Sequence, residues 1–223
     1  MCGIVGYIGG EQAAPFLLTG LQKLEYRGYD SAGVAVYNGT GIHVVKSKGR
    51  LSVLDGILQG GEKLPGVIGI GHTRWATHGA PSDVNSHPQV SDGGKFAVVH
   101  NGIIENYLEL KNHLLHRGIE FVSDTDTEVV AQLLEYYYRG DVLEAISRVT
   151  ARVEGSYALG IICADCPEKV FAVRKDWARE KISSLPISPP SCQKPGTSAA
   201  CMTRKSRCWK KMGCSFSTRT WSL

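Results

Sequence analysis

A chain of 223 residues with 43% hydrophobic content has room for one large domain, or for a domain and a tail. It has no apolar run near the roughly 18 residues of a membrane span, and no basic stretch leading into an apolar one, so neither a membrane-spanning nor a secreted protein is predicted. The net charge of +4 hides two unlike parts: residues 1–176 carry 16 Lys and Arg against 20 Asp and Glu, whereas residues 177–223 carry 9 basic residues against Glu180 alone.

Read in order, Met1–Ile8 alternates small and apolar residues as a buried strand, and Ala13–Tyr26 sets Phe16, Leu17, Leu21 and Leu24 on one helical stripe. Gly33–Tyr37 and Ile42–Lys46 read as hairpin strands around Asn38-Gly39. Val67–Thr73 and Phe96–His100 are apolar strands that run into polar loops. Asn106–Arg117, Asp126–Tyr138 and Val142–Val153 read as helices, followed by strands over Tyr157–Cys163 and Val170–Arg174. Strands, then helices, then strands predict sheets packed against helices in layers.

Cys2 is the most informative residue. Removal of Met1 would give one residue both a thiol, of ordinary pKa about 8.5, and an α-amine of about 7.7–8.0. A nucleophile with its own amine base suits covalent catalysis, although a cysteine near a start codon is also ordinary core material. The strand end His72-Thr73-Arg74-Trp75-Ala76-Thr77-His78-Gly79 gathers a guanidinium, an indole, hydroxyls and imidazoles. Arg74 suits bidentate capture of a carboxylate. Asn101-Gly102 reads either as a tight turn or as a pair of donors for an oxyanion. The run Ser123–Glu128 is helix-capping material, in which one acid is also placed to hold an amine. Cys163 and Cys166 form a lone Cys-x2-Cys with no second pair at useful spacing, so no metal is predicted. Seven irregularly spaced cysteines argue against a disulfide framework and for reduced thiols in the cytoplasm.

Taken together, Cys2–Gly6, Leu24–Gly33, His72–Gly79, Val84–Pro88, His100–Asn106 and Ser123–Val129 resemble the glutaminase domain of the glucosamine-6-phosphate synthases, also called glutamine–fructose-6-phosphate aminotransferases (isomerizing). The resemblance runs from residue 1 to about 176. It implies an α+β fold, a four-layer αββα sandwich of the N-terminal nucleophile hydrolase type. It implies hydrolysis of glutamine to glutamate and ammonia through a Cys2 thioester, with Asn101 and the Gly102 N–H as the oxyanion site. Arg74 would hold the glutamine α-carboxylate and Asp126 its ammonium. Thr77 and His78 would line the pocket, Trp75 would gate an ammonia channel, and Arg27 would orient the nucleophile. No cofactor, nucleic acid or membrane is implied. Fructose 6-phosphate and oligomerisation belong to the family's isomerase domains, which nothing in these 223 residues resembles.

Residues 177–223 show no apolar period of either 3.6 or 2 and hold Cys192, Cys201, Cys208 and Cys214. Codons exist for residues 178–203 whose shifted reading gives a Gly-Pro-Gly-Glu-Asn-Phe segment like the family's continuation. The tail is therefore expected to be out of frame and disordered, with the last strands of the domain missing. An inactive, unstable product and a nucleic-acid-binding protein using the basic tail stand as alternative readings.

Overall fold

The computed structural model describes residues 2–75, 79–175, 197–203 and 220–222; for Arg27 and the last two stretches only the backbone is described. Among the described residues, ten strands form two five-stranded sheets. The first sheet contains β1 (Gly3–Ile8), β2 (Ser31–Tyr37), β3 (Ile42–Lys48), β4 (Ile68–Arg74) and β10 (Thr220–Ser222), in the order β10-β1-β4-β2-β3. The second contains β5 (Gln89–Val90), β6 (Phe96–Gly102), β7 (Tyr157–Cys163), β8 (Lys169–Lys175) and β9 (Thr197–Thr203), in sequence order. Every neighbouring pair is antiparallel.

Helices α1 (Ala13–Gln22) and α2 (Leu51–Leu58) cover the first sheet, while α3 (Tyr107–Leu115), α4 (Asp126–Tyr137) and α5 (Val142–Thr150) cover the second. The result is the expected αββα order. The period of two along each strand produces it. In β1, Val5 and Tyr7 pack toward Leu17 and Leu21 of α1, while Ile4 faces the other sheet. In β6, Phe96 and Val98 pack toward Val130 and Leu133 of α4, while Ala97 and Val99 meet Ile68 and Ile70 of β4 between the sheets. Each fully buried leucine- or valine-sized side chain contributes about 1.5–3 kcal/mol.

The sequence reading places the regular elements up to residue 175 closely and misses four, α2, the two-residue β5, β9 and β10. The stripe predicted over Ala13–Tyr26 divides into α1 and a short 3-10 turn at Glu25–Arg27. Asn101 and Gly102 do not form a turn; they are the last residues of β6, paired with Ala158 and Tyr157 of β7. In the stretch assigned to a disordered tail, β9 covers the outer edge of β8 and β10 covers that of β1. Among the described residues no helix is long and apolar enough to cross a membrane.

Candidate active site

One end of the space between the sheets gathers the chemistry. Cys2 precedes β1, whose first residue pairs with Thr73 near the end of β4. That register sets the Cys2 Sγ against the chain just past β4, where it accepts from the Trp75 N–H at 3.2 Å and lies 3.5 Å from the Trp75 carbonyl. Burial pushes the Cys2 thiol up, and the Trp75 N–H and the Arg74 charge partly offset this by favouring the thiolate.

Asn101 follows Ala97 and Val99 on the inter-sheet face of β6, so its side chain reaches across to the first sheet. Its Nδ2 donates to the Cys2 carbonyl at 3.2 Å. Its Oδ1 lies 2.9 Å from His72 Nε2, which is also 2.9 Å from the His100 carbonyl. Both of those partners are acceptors, so His72 carries its proton on Nε2. Burial pushes the His72 pKa down to about 3, keeping the ring neutral. Its fixed tautomer sets which way the Asn101 amide faces.

Gly102, next in β6, has φ +125°, and a Cβ there would lie 2.2 Å from the Ser156 carbonyl. Only glycine fits this backbone. Gly28 serves a similar close approach, since a Cβ would meet the Arg74 carbonyl carbon at 2.8 Å. The loop after the 3-10 turn therefore lies directly on the end of β4, where the Asp30 N–H donates to the Arg74 carbonyl at 3.1 Å.

Arg74 ends β4 with 3% exposure, and its guanidinium donates to the Gly79 carbonyl at 3.3 Å. Burial pushes its pKa down, opposed by the negative charges of Cys2, Asp126 and Asp30. Asp126 opens α4, where the helix dipole favours an acid. Its Oδ2 accepts from the Ile104 N–H at 2.9 Å and lies 3.8 Å from His100 Nδ1. Trp75 is 45% exposed and meets the Tyr29 ring edge-on at 5.3 Å. Cys2, Arg74, Trp75, Asn101, Gly102 and Asp126 thus stand at one end of the sandwich. Thr77, His78 and the side chain of Arg27 lie outside the described residues.

Sequence reasoning missed the supports behind this group. His72 and His87 meet edge-on at 4.5 Å, and Thr127 Oγ1 lies 2.7 Å from His87 Nε2 and 2.9 Å from His100 Nδ1. The loop carrying His87 is clamped by Lys46, whose ammonium donates to the carbonyls of Val84, Ser86 and Pro88 at 2.9, 3.0 and 3.4 Å. Burial pushes the Lys46 pKa down to about 8. Asn85 of that loop accepts from the Asp124 N–H at 2.9 Å, next to the start of α4. Glu128, buried in the first turn of α4, accepts from the Val122 and Ser123 N–H groups at 2.9 and 2.6 Å. The only trace of this network in the sequence is polar residues at the ends of apolar strands. Among the described residues no three His, Cys, Asp or Glu side chains are grouped to hold a metal.

A family model described as a glutamine amidotransferase domain matches residues 72–181. The chain is similar to the glutamine–fructose-6-phosphate aminotransferase [isomerizing] of Caldanaerobacter subterraneus subsp. tengcongensis, 61% identical over 176 residues, or 79% of this chain and 29% of that protein. The protein of the same name from Clostridium perfringens is 60% identical over the same shares. The chain spans 29% of the length of these relatives. Among solved structures, glutamine phosphoribosylpyrophosphate amidotransferase from B. subtilis, complexed with ADP and GMP, superposes with a TM-score of 0.66 at 28% identity, over 78% of this chain and 37% of that one. A glutamine aminotransferase class-II domain protein from Silicibacter pomeroyi shares the fold, with a TM-score of 0.52 at 12% identity over 80% of this chain and 79% of that one.

Proposed function

We propose, for a chain that belongs to the glutamine amidotransferase family, that it hydrolyses glutamine to glutamate and ammonia with Cys2 as nucleophile. One observation carries the reading: the Asn101 amide, fixed by His72, sits 3.2 Å from the Cys2 carbonyl, on the residue whose sulfur would attack.

In the proposed reaction glutamine enters with its α-carboxylate on Arg74 and its α-ammonium at Asp126. The Cys2 thiolate attacks the side-chain amide carbon. The oxyanion accepts from Asn101 Nδ2 and the Gly102 N–H, each such donor being worth about 3 kcal/mol. The amide nitrogen leaves as ammonia, protonated from the α-amine that removal of Met1 exposes. Water then cleaves the glutamyl thioester. The Trp75–Tyr29 pair walls the site on its exposed side. The raised thiol pKa means that the thiolate forms only with help from the Trp75 N–H, Arg74 and the α-amine.

The relatives are named for transfer to fructose 6-phosphate. We assign that step, with its sugar-phosphate site and any oligomer it requires, to the part of their length that this chain does not span. Residues 1–176 would form the glutaminase unit, and residues 177–223 an out-of-frame extension. The reduced Cys2 that the reaction needs suits the cytoplasm.

Treatment with a glutamine analogue bearing an electrophilic carbon in place of the amide tests this reading. Peptide mapping should find Cys2 alkylated with Met1 absent, and excess glutamine should protect it. Alkylation spread over the other cysteines, or no protection by glutamine, would rule it out.

A further inference from the structure

The Cys-x2-Cys that the proposed reaction leaves unused lies far along the chain from Cys2, at the end of β7. Cys163 is its last residue, 2% exposed, and Cys166 is half-buried. The Cys166 N–H donates to the Cys163 carbonyl at 3.1 Å, which closes a four-residue turn. Such a turn holds its end Cα atoms within about 7 Å, the span a disulfide bridges. Cys163 belongs to the core between the second sheet and its helices, and Cys166 packs against that same core. The turn is held by the Ala164 N–H on the Lys95 carbonyl at 2.8 Å and by the Lys169 N–H on the Cys166 carbonyl at 3.2 Å.

We propose that Cys163 and Cys166 are a redox-active pair that closes to an intrachain disulfide on reaction with a small disulfide of the glutathione type. Access is through Cys166, which lines a cleft of about 510 Å³ with Pro167, Glu168 and Lys169 and with Tyr37, at the end of β2, and Val67, just before β4. The Cys166 thiolate attacks one sulfur of the oxidant and displaces one thiol. The Cys163 thiolate then attacks the Cys166 sulfur of the mixed disulfide and displaces the second. Two cysteine S–H bonds are lost and one S–S bond forms; the two electrons cleave the oxidant's S–S bond, and its two thiols take up both protons. Burial pushes the Cys163 thiol up to about 11, which assigns it the second step and makes closure slow.

The test equilibrates the full chain in a glutathione/glutathione disulfide buffer, natively and in urea. It is then quenched with acid, alkylated without reduction and cleaved with trypsin. Cleavage after Arg152 and Lys169 yields one peptide, Val153–Lys169, that holds these two cysteines and no other. The expected native result is an unalkylated peptide lighter by two hydrogens than the dithiol, with both alkylation sites restored by dithiothreitol. Because the turn is already closed, the disulfide-to-dithiol ratio should be at least about tenfold higher natively than in urea. Cys163→Ser should stop at a glutathione adduct on Cys166. A native peptide with both cysteines alkylated, a wild-type chain that stops at the adduct, or equal ratios in both conditions would overturn the proposal. None of these outcomes depends on glutamine hydrolysis, so this pair and the glutaminase reading fail separately.

Discussion

His72 Nε2 donates to Asn101 Oδ1 at 2.9 Å, and through that one bond the first sheet decides which way an amide of the second sheet faces Cys2. Residue 72 continues the inter-sheet row of Ile68 and Ile70, and Asn101 continues that of Ala97 and Val99. The relationship is therefore a product of strand alternation on two packed sheets.

Replacing the ring by one of similar volume without a donor isolates this bond. His72→Phe should lower kcat for glutamine hydrolysis by about 10²-fold, the size of one lost oxyanion donor, with little change in KM. His72→Gln, which restores an N–H near the same place, should recover part of the loss. Adding His72→Phe to Asn101→Ala should cost nothing further, because the first acts through the second. Steady-state kinetics of the three variants and the double mutant check this.

Acid should destabilise the chain through the same buried rings. The His72 pKa is pushed down to about 3 and that of His87 well below its ordinary 6.5, both by burial. Below pH 6.5 the unfolded chain takes up protons that these native rings refuse. Stability is thus fully present above 6.5 and is lost as pH falls, by up to about 1.4 kcal/mol per pH unit for each ring. Urea melts between pH 7 and 5 should show the loss, and His87→Gln should flatten it.

Asp126 combines two tasks that substitution can separate. Asp126→Asn keeps an oxygen for the Ile104 N–H but loses the charge that would meet the substrate ammonium. KM for glutamine should rise about 10²-fold with the melting temperature nearly unchanged. Asp126→Ala should add about 1–3 kcal/mol of destabilisation by orphaning the buried Ile104 N–H. Kinetics and melts of both variants read the two effects apart.

The layered order was legible because period-two strands and striped helices declare their buried faces. Residues such as Val5, Ile70 and Val98 sit where alternation puts them. Arg74 and Asn101 were legible as polar groups at apolar strand ends. The Asn101-Gly102 pair was locally ambiguous, since turn chemistry favours a reversal there and pairing with β7 overrides it. The His72–His87–His100 network was not legible. A buried histidine bonded through one ring nitrogen to another strand's carbonyl or to Thr127 on a helix has no local signature, because its partners lie 27 to 40 residues away. The edge strands β9 and β10 were equally hidden, because their sequences lack the alternation that marks a half-buried strand.

The most direct measurement is glutamate release from glutamine by the purified chain, after N-terminal sequencing confirms that Met1 is gone, beside Cys2→Ala. Turnover by the chain and none by the variant is the expected result. Equal rates in the two proteins, or no turnover from a chain that melts cooperatively with Cys2 at its N-terminus, would contradict the assignment of Cys2 as the nucleophile of a glutaminase.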